Sequence, residues 1–269
     1  MKEEVIKRYS ERISRNTRSG ESPSCCSTDM VLTEENKVSK NGSHEDSSCS
    51  GSFNEDMWDK LGNIEKQSFG CGNPVGLSSV REYDIVIDLG SGAGLDCIRA
   101  ASGVGTNGKV VGVDLSDEMI ARARQNARKM QVDDRVSFVK GDIENIPLQD
   151  NYASLVISNC VLALAPDKEK VFNEVYRVLK PGGRFVISDV VSESTIPSEM
   201  RDDAELFSSC VSGASQVDQY FDIIKKAGFT NIEELDRKSY GNLDPDGKRI
   251  EMFSITVRGY KRYPSTIKN

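Results

Sequence analysis

Tyr83–Asp96 reads YDIVIDLGSGAGLD: an apolar, β-branched run that stops abruptly at Gly90, Gly92 and Gly94. Such a run, ended by glycine, predicts a buried strand that turns sharply into a helix. The pattern then repeats toward the C-terminus. KVVGVDL (Lys109–Leu115) predicts a second strand, with Ser116 as the N-cap of a helix over Asp117–Met130. Met119, Ile120 and Ala123 are spaced to face inward on that helix. RVSFVKGD (Arg135–Asp142) and YASLVISN (Tyr152–Asn159) predict the third and fourth strands. A helix over Lys168–Leu179 is expected to stop at Pro181-Gly182-Gly183, ahead of a fifth strand over Arg184–Val191. Helical stretches follow near Glu199–Val211 and Gln216–Ala227, then strands over Asn231–Ser239 and Ile250–Arg258. Strands separated by helices imply a doubly wound α/β fold with a mostly parallel, seven-stranded sheet. The last two strands have no helix between them, which makes them an antiparallel edge.

Upstream of this pattern the chain changes character. Residues 3–16 carry Val5, Tyr9 and Ile13 on one helical face, while 17–52 are dominated by Ser, Gly, Asn and Asp. That composition buries too little apolar surface to order itself, so a partly flexible segment is expected. The 269 residues carry a formal charge of −7 and a pI near 5.0. No basic stretch stands out, which argues against nucleic acid and anionic membranes as partners. The longest apolar run, Leu155–Ala165, is too short to cross a bilayer, and the charged N-terminus does not resemble a signal peptide. The cytoplasm is the expected location. Cysteines there are usually reduced, and serve metals or catalysis more often than disulfides.

In a doubly wound sheet, ligands bind beyond the carboxyl ends of the strands. The glycine turn, and the N–H groups of the helix it opens, suit a nucleoside cofactor. Asp114 ends the second strand 20 residues after Gly94, where a carboxylate can accept hydrogen bonds from both ribose hydroxyls. Asp142, after Gly141 at the end of the third strand, is placed for an adenine amino group. The dinucleotide fingerprint wants G-x-G-x-x-G. Here the order is G-x-G-x-G, which resembles class I methyltransferases that bind S-adenosylmethionine, as does Pro181-Gly182-Gly183. The resemblance implies Gly90, Gly92 and Gly94 at the methionine end, Asp114 at the ribose, and Asp142 with Ile143 at the adenine. Asp88, Leu115, Met119, Gly141 and Asn159 complete the expected lining.

Histidine is nearly absent: His44 alone, in the polar arm, where a solvated side chain is the ordinary expectation. The chain offers thiols instead. Cys71 precedes the first strand, Cys160 follows the fourth, and Cys210 lies beyond the fifth, where methyltransferases build their substrate cover. Cys97, inside the helix after the glycine turn, reads as a small buried hydrophobe. Three thiolates favour a soft ion, and arsenic(III) so bound keeps a lone pair that attacks a methyl group without a base.

SFGCGNPV (Ser68–Val75), DLGSGAGLDC (Asp88–Cys97), SNCVLALAPDK (Ser158–Lys168), RVLKPGGRFVISDV (Arg177–Val190) and ELFSSCVSGA (Glu205–Ala214) together resemble the arsenite methyltransferases. The resemblance implies methylation of trivalent arsenic on Cys71, Cys160 and Cys210, with arsenite or its thiol complexes as substrate, for detoxification. It also implies an N-terminal cysteine that closes a disulfide with Cys71 during turnover. Cys25, Cys26 and Cys49 are the candidates, with Cys49 nearest in chain. Glutathione or a thioredoxin-type protein is the expected reductant. Family members often carry asparagine where this chain has Ala163, and many continue beyond the second edge strand, so a C-terminal accessory domain is not expected here. The expected division is an N-terminal helix and cysteine-bearing arm (1–67), a cofactor-binding core (68–195), and cover helices with closing strands (196–269). Two other readings share this core: methylation of an organic acceptor such as a quinone precursor or sterol, and a heavy-metal binder without catalysis.

Overall fold

The computed structural model describes Ile64 and residues 70–201, 210–243 and 249–263. The helix expected over 3–16, the polar arm, His44, Cys25, Cys26 and Cys49 lie outside them. The described chain runs α1 (Pro74–Ser78), β1 (Ile85–Leu89), α2 (Leu95–Gly103), β2 (Lys109–Asp114), α3 (Asp117–Lys129), β3 (Val136–Lys140), β4 (Ala153–Asn159) and a 3-10 turn (Leu162–Leu164). It continues with α4 (Lys168–Val178), β5 (Leu179–Ser192), α5 (Ser198–Arg201), β6 (Ser215–Gln216), α6 (Val217–Lys226), β7 (Thr230–Leu243) and β8 (Ile250–Tyr260).

The sheet order is β3-β2-β1-β4-β5-β8-β7, with β6 pairing beside β5. Strands β1 to β5 are parallel, and β8 enters antiparallel between β5 and β7. The sheet therefore has eight strands, one more than the seven expected. The extra one, β6, is two residues long and pairs parallel at Val191–Ser215. So short a strand leaves no periodicity to find. The helix expected near Glu199–Val211 is described only as α5, and Cys210 itself sits in a turn.

Each parallel strand buries both faces, as the continuous apolar runs require. On β1, Val86 enters one core while Ile87 and Leu89 enter the other. The first core lies under α1, α2 and α3, with Cys97, Ile98, Ile120 and Ala123 packed on the sheet. The second lies under α4 and α6 and is built around Phe172, whose ring meets Phe185, Tyr220 and Phe229 edge-on. Ser116 caps α3 by accepting from Met119 N at 3.3 Å, as expected. Pro181-Gly182-Gly183 corrects the expectation: β5 begins at Leu179, and the three residues sit inside it. The β4–β5 register slips between Ala153 and Leu155, and Gly182 N donates to Lys261 O at 2.9 Å. The proline thus occupies an irregularity in the ladder, where no donor is required.

At the opposite end of the strands from the glycine turn, Arg184 and Asp84 form a buried pair at 3.0 Å. Arg184 also donates to the Ser78 and Ser79 carbonyls, and Ser154 Oγ donates to Asp84 at 2.6 Å. Burial alone would raise the Asp84 pKa, but the Ser154 and Arg184 hydrogen bonds outweigh it and hold it below the ordinary value. A lowered carboxyl pKa stabilises the fold above its unfolded value of about 4, and that contribution is lost as pH falls through the folded value. Arg184→Met strands the carboxylate. It is expected to cost about 3–5 kcal/mol in urea unfolding at pH 7, and less at acid pH, where the variant's stranded Asp84 escapes by protonation and the wild-type pair is lost as pH falls through its lowered folded value.

Candidate active site

The winding of the sheet reverses between β1 and β4, and the chain segments that end there build the site. The glycine turn follows β1. Gly90 N and Ser91 N donate to Val113 O at 2.8 and 3.1 Å, which ties the turn to β2. Asp114, at the end of β2, accepts from Gly92 N at 2.9 Å and Ser116 N at 2.8 Å. Gly92 has φ +50°, and a Cβ there would meet nothing within 4 Å. The turn therefore presents bare left-handed backbone to open space, a shape that admits a ligand against it. Ser91 Oγ is buried without a hydrogen-bond partner among the described residues.

Three carboxylates surround this turn. Asp88 is buried and accepts from the Cys97 thiol at 3.2 Å. Burial first, then the charges of Asp96 and Asp114, push its pKa well up. Burial likewise raises Asp114, against the N–H groups that feed it. The Cys97 thiol is pushed well up by burial and by Asp88. Cys97 is fully buried in the core, as read from the sequence, but it is also the hydrogen-bond donor to Asp88. Met119 and Ile143 are buried, while Leu115, Gly141 and Asp142 are half-buried. Asp142 Oδ1 accepts from Glu144 N at 3.0 Å, so the loop after β3 folds around its own carboxylate.

Asn159 closes β4 and straps a distant segment onto the site. Its Oδ1 accepts from Cys71 N at 2.9 Å and Gly72 N at 3.1 Å. Its Nδ2 donates to Gly72 O at 3.0 Å and Asp96 Oδ2 at 2.9 Å. Ser254 Oγ, from β8, donates to Cys71 O at 2.6 Å. Gly72 lies so close to β5 that a Cβ would stand 2.5 Å from Ser188 Oγ. Asn73 then caps α1, with Pro74 in its first turn. Every polar atom of the Asn159 side chain is thus engaged by backbone or Asp96, a role invisible in the sequence.

The three thiols named from the sequence meet in one cluster. Cys160 and Cys210 are buried with Ala163, Val190, Ile196, Ala214, Ile250 and Met252, and half-buried Cys71 packs against them. Among the described residues none of the three is joined in a disulfide. Cys160 and Cys210 hold φ +60° and +63°, a left-handed conformation uncommon for side chains without special purpose. Cys160 N donates to Ser188 O at 2.8 Å. The Cys160 thiol bonds Cys71 and pulls its pKa down, but burial and the charges of Asp189 and Cys210 outweigh this, so Cys71 is raised. Cys210 Sγ turns onto the Cys160 carbonyl at 3.2 Å. Among the described residues no three acidic, imidazole or thiol side chains already stand at metal-ligand spacing. The thiols share an apolar cluster without yet standing at ligand spacing. Asp189, inside β5 near its carboxyl end, was not singled out from the sequence, although an acid interrupting the apolar run FVISDVV is visible there.

Among the described residues no helix is long and apolar enough to cross a membrane. Residues 82–228, more than half of the chain, match the model of a methyltransferase domain. An arsenite methyltransferase of Halobacterium salinarum is 46% identical over 164 residues, 61% of this chain and 42% of that protein. An arsenite methyltransferase of Aquipseudomonas alcaligenes is 36% identical over 178 residues, 62% of this chain and 50% of that protein. The chain thus spans half or less of the length of these curated relatives. The crystal structure of an arsenic(III) S-adenosylmethionine methyltransferase from Chlamydomonas reinhardtii superposes with a TM-score of 0.68 at 31% identity, over 80% of this chain and 76% of that one. With a methyltransferase domain over more than half of its length, and 31% identity to the algal arsenic(III) methyltransferase over 76% of that chain, the chain belongs to the arsenite methyltransferase family of methyltransferase-domain proteins.

Proposed function

We propose that this protein methylates trivalent arsenic held by Cys71, Cys160 and Cys210. One observation carries the reading: thiols from three separate chain segments are gathered in a buried cluster at the switch-point end of the sheet, next to the glycine turn.

The methyl donor fits the neighbouring turn. The open face of Gly92, the orphaned Ser91 hydroxyl and the Asp114 carboxylate supply backbone, a donor and an acceptor around one space. S-adenosylmethionine supplies a methyl group on a positively charged sulfur. Gly90, Gly92 and Gly94 with Asp88 would face its methionine end, Asp114 and Leu115 its ribose, and Asp142, Ile143 and Met119 its adenine, with Gly141 backing the adenine loop. Asn159 acts from behind, holding Cys71 over the turn.

The thiols exchange onto arsenic, each passing its proton to the hydroxide or thiolate that leaves. Release of Cys210 from the Cys160 carbonyl is the movement that completes a trigonal site. The apolar wall of Val190, Ile196, Ile250 and Met252 excludes water from it. The arsenic lone pair then needs no base, in keeping with a chain whose one histidine lies at position 44. A cysteine pair gives two electrons to the methylated product and closes a disulfide, which returns arsenic to the trivalent state; glutathione or a thioredoxin-type protein then reopens the pair by thiol–disulfide exchange. Cys49 is the proposed partner of Cys71 in that step. Arsenic removal in the cytoplasm is the role this chemistry serves.

Incubation with arsenite, S-adenosylmethionine and glutathione, followed by arsenic speciation, is expected to yield methylated arsenicals. Failure with arsenite, alongside methylation of a sterol or quinone precursor, would replace this reading with an organic acceptor. Arsenite binding without any S-adenosylmethionine binding would replace it with a metal-binding protein.

A further inference from the structure

Asp189 is fully buried within β5, near its carboxyl end, and among the described residues neither carboxyl oxygen has a hydrogen-bond partner. A buried carboxyl left this way is costly and calls for an explanation. The backbone N–H groups of Val190 and Ala163 lie close enough to draw its titration down, but neither reaches hydrogen-bond geometry. Its surroundings point toward the thiols. Asp189 acts electrostatically on Cys71 and on Tyr220, and Tyr220 in turn feels Cys71 and Cys160. The Tyr220 hydroxyl is also buried without a partner. From α4, Lys168 lies within electrostatic reach. The titratable groups that interact with Asp189 are thus the Cys71 thiol, Tyr220 from α6 and Lys168 from α4, and the adjoining Ser188 carbonyl accepts from Cys160 N of the thiol cluster. The nearby 3-10 turn brings none.

The reaction moves a charge through this region. Arsenic(III) on three thiolates is neutral overall. When its lone pair takes the methyl carbon, the carbon–sulfur bond breaks and its electron pair stays on the donor sulfur. The sulfonium becomes a neutral thioether, and the positive charge passes to the newly methylated, pentavalent arsenic centre. No proton is transferred. In an apolar pocket that charge would be expensive unless a fixed negative group were already in place.

We propose that Asp189 is that group: a buried counter-charge beside the thiol cluster that stabilises the positive charge as it develops on arsenic. The inference rests on the arsenic-methylating reading above. It explains why the carboxyl is kept without partners, since a carboxylate already satisfied by hydrogen bonds responds less to a new charge. Burial, the dominant influence, pushes its pKa up to about 7, so above that pH the carboxylate is already in place when the cation forms.

The test uses the full chain, preloaded with arsenite so that thiol exchange is complete, then mixed with S-adenosylmethionine for one turnover. Asp189→Asn is expected to slow methyl transfer at least about tenfold, with losses of a preorganised electrostatic partner reaching ~10²–10³. Arsenite stoichiometry and S-adenosylmethionine affinity are expected to stay unchanged. The wild-type rate is expected to rise with pH through one ionisation at or below about 7, and the variant's profile to be flat. Infrared spectroscopy of the arsenite-loaded wild type is expected to show the protonated carboxyl band that Asp189→Asn removes, vanishing by pH 8. Equal single-turnover rates in the two proteins would overturn the role. If the variant does not fold, a wild-type profile flat down to pH 5, or a carboxyl band persisting at pH 8, overturns it equally. A wild type that neither loads nor methylates arsenic sinks the parent reading instead.

Discussion

Replacing Cys160 or Cys210 with serine is expected to abolish arsenic methylation while leaving the fold and S-adenosylmethionine binding intact. Serine keeps the shape of the side chain, so the left-handed backbone at φ +60° or +63° is no more strained than before. What changes is the donor. An arsenic(III) centre is soft and prefers sulfur, and a hydroxyl near neutral pH is neither soft nor ionised. Two remaining thiols hold arsenic with one hydroxyl still attached, and the trigonal frame that aims the lone pair is gone. The fall in kcat/KM should exceed the ~10–100-fold that follows loss of an outer-shell partner in a metal site, because a direct ligand has been removed. Speciation of products gives the rate, and mass spectrometry of the arsenite-loaded protein gives the number of thiols engaged. Undiminished methylation by either variant would rule out the three-thiol scheme.

Asp114→Ala is expected to weaken S-adenosylmethionine and its demethylated product by ~30- to 10³-fold. The carboxylate does two jobs at once. It accepts from Gly92 N and Ser116 N, which fixes the glycine turn against the start of α3. It is also the acceptor proposed for the ribose hydroxyls. Alanine leaves partly buried backbone donors unmet and the ribose unheld, a combined cost of about 2–4 kcal/mol. Calorimetric titration with the demethylated product separates this from chemistry. Arsenite loading should be unaffected, since the thiol cluster draws on other segments. An affinity within threefold of wild type would show that the ribose lies elsewhere.

These expectations rest on features of unequal legibility. β1, β2, β3 and β4 fall within two residues of their expected bounds, and Ser116 caps α3 as read. Those features depend on neighbours in sequence: alternation of apolar side chains, a hydroxyl before a helix, glycines after a strand. The antiparallel closing pair was readable for the same reason, because no helix separates β7 from β8. Pro181-Gly182-Gly183 misled, since a proline and two glycines usually end an element. Here the pairing of β5 with β4 and the contact with Lys261 carry the strand through them. β6 was beyond reach, for two residues pair only because β5 is already there.

Local order along the chain was enough to name the fold class, the glycine turn, the acids at the ends of β2 and β3, and the three cysteines worth watching. Proximity was not, because nothing between residues 71, 160 and 210 encodes a distance. Their gathering depends on Asn159 binding Cys71 and Gly72 across 88 and 87 residues, and on Ser254 reaching back across 183. The bare carboxyl of Asp189 belongs to the same class of fact. A side chain's partners, or its want of them, arise only when the sheet and both helical layers have closed around it, since burial is a property of the packed chain and not of any residue in it.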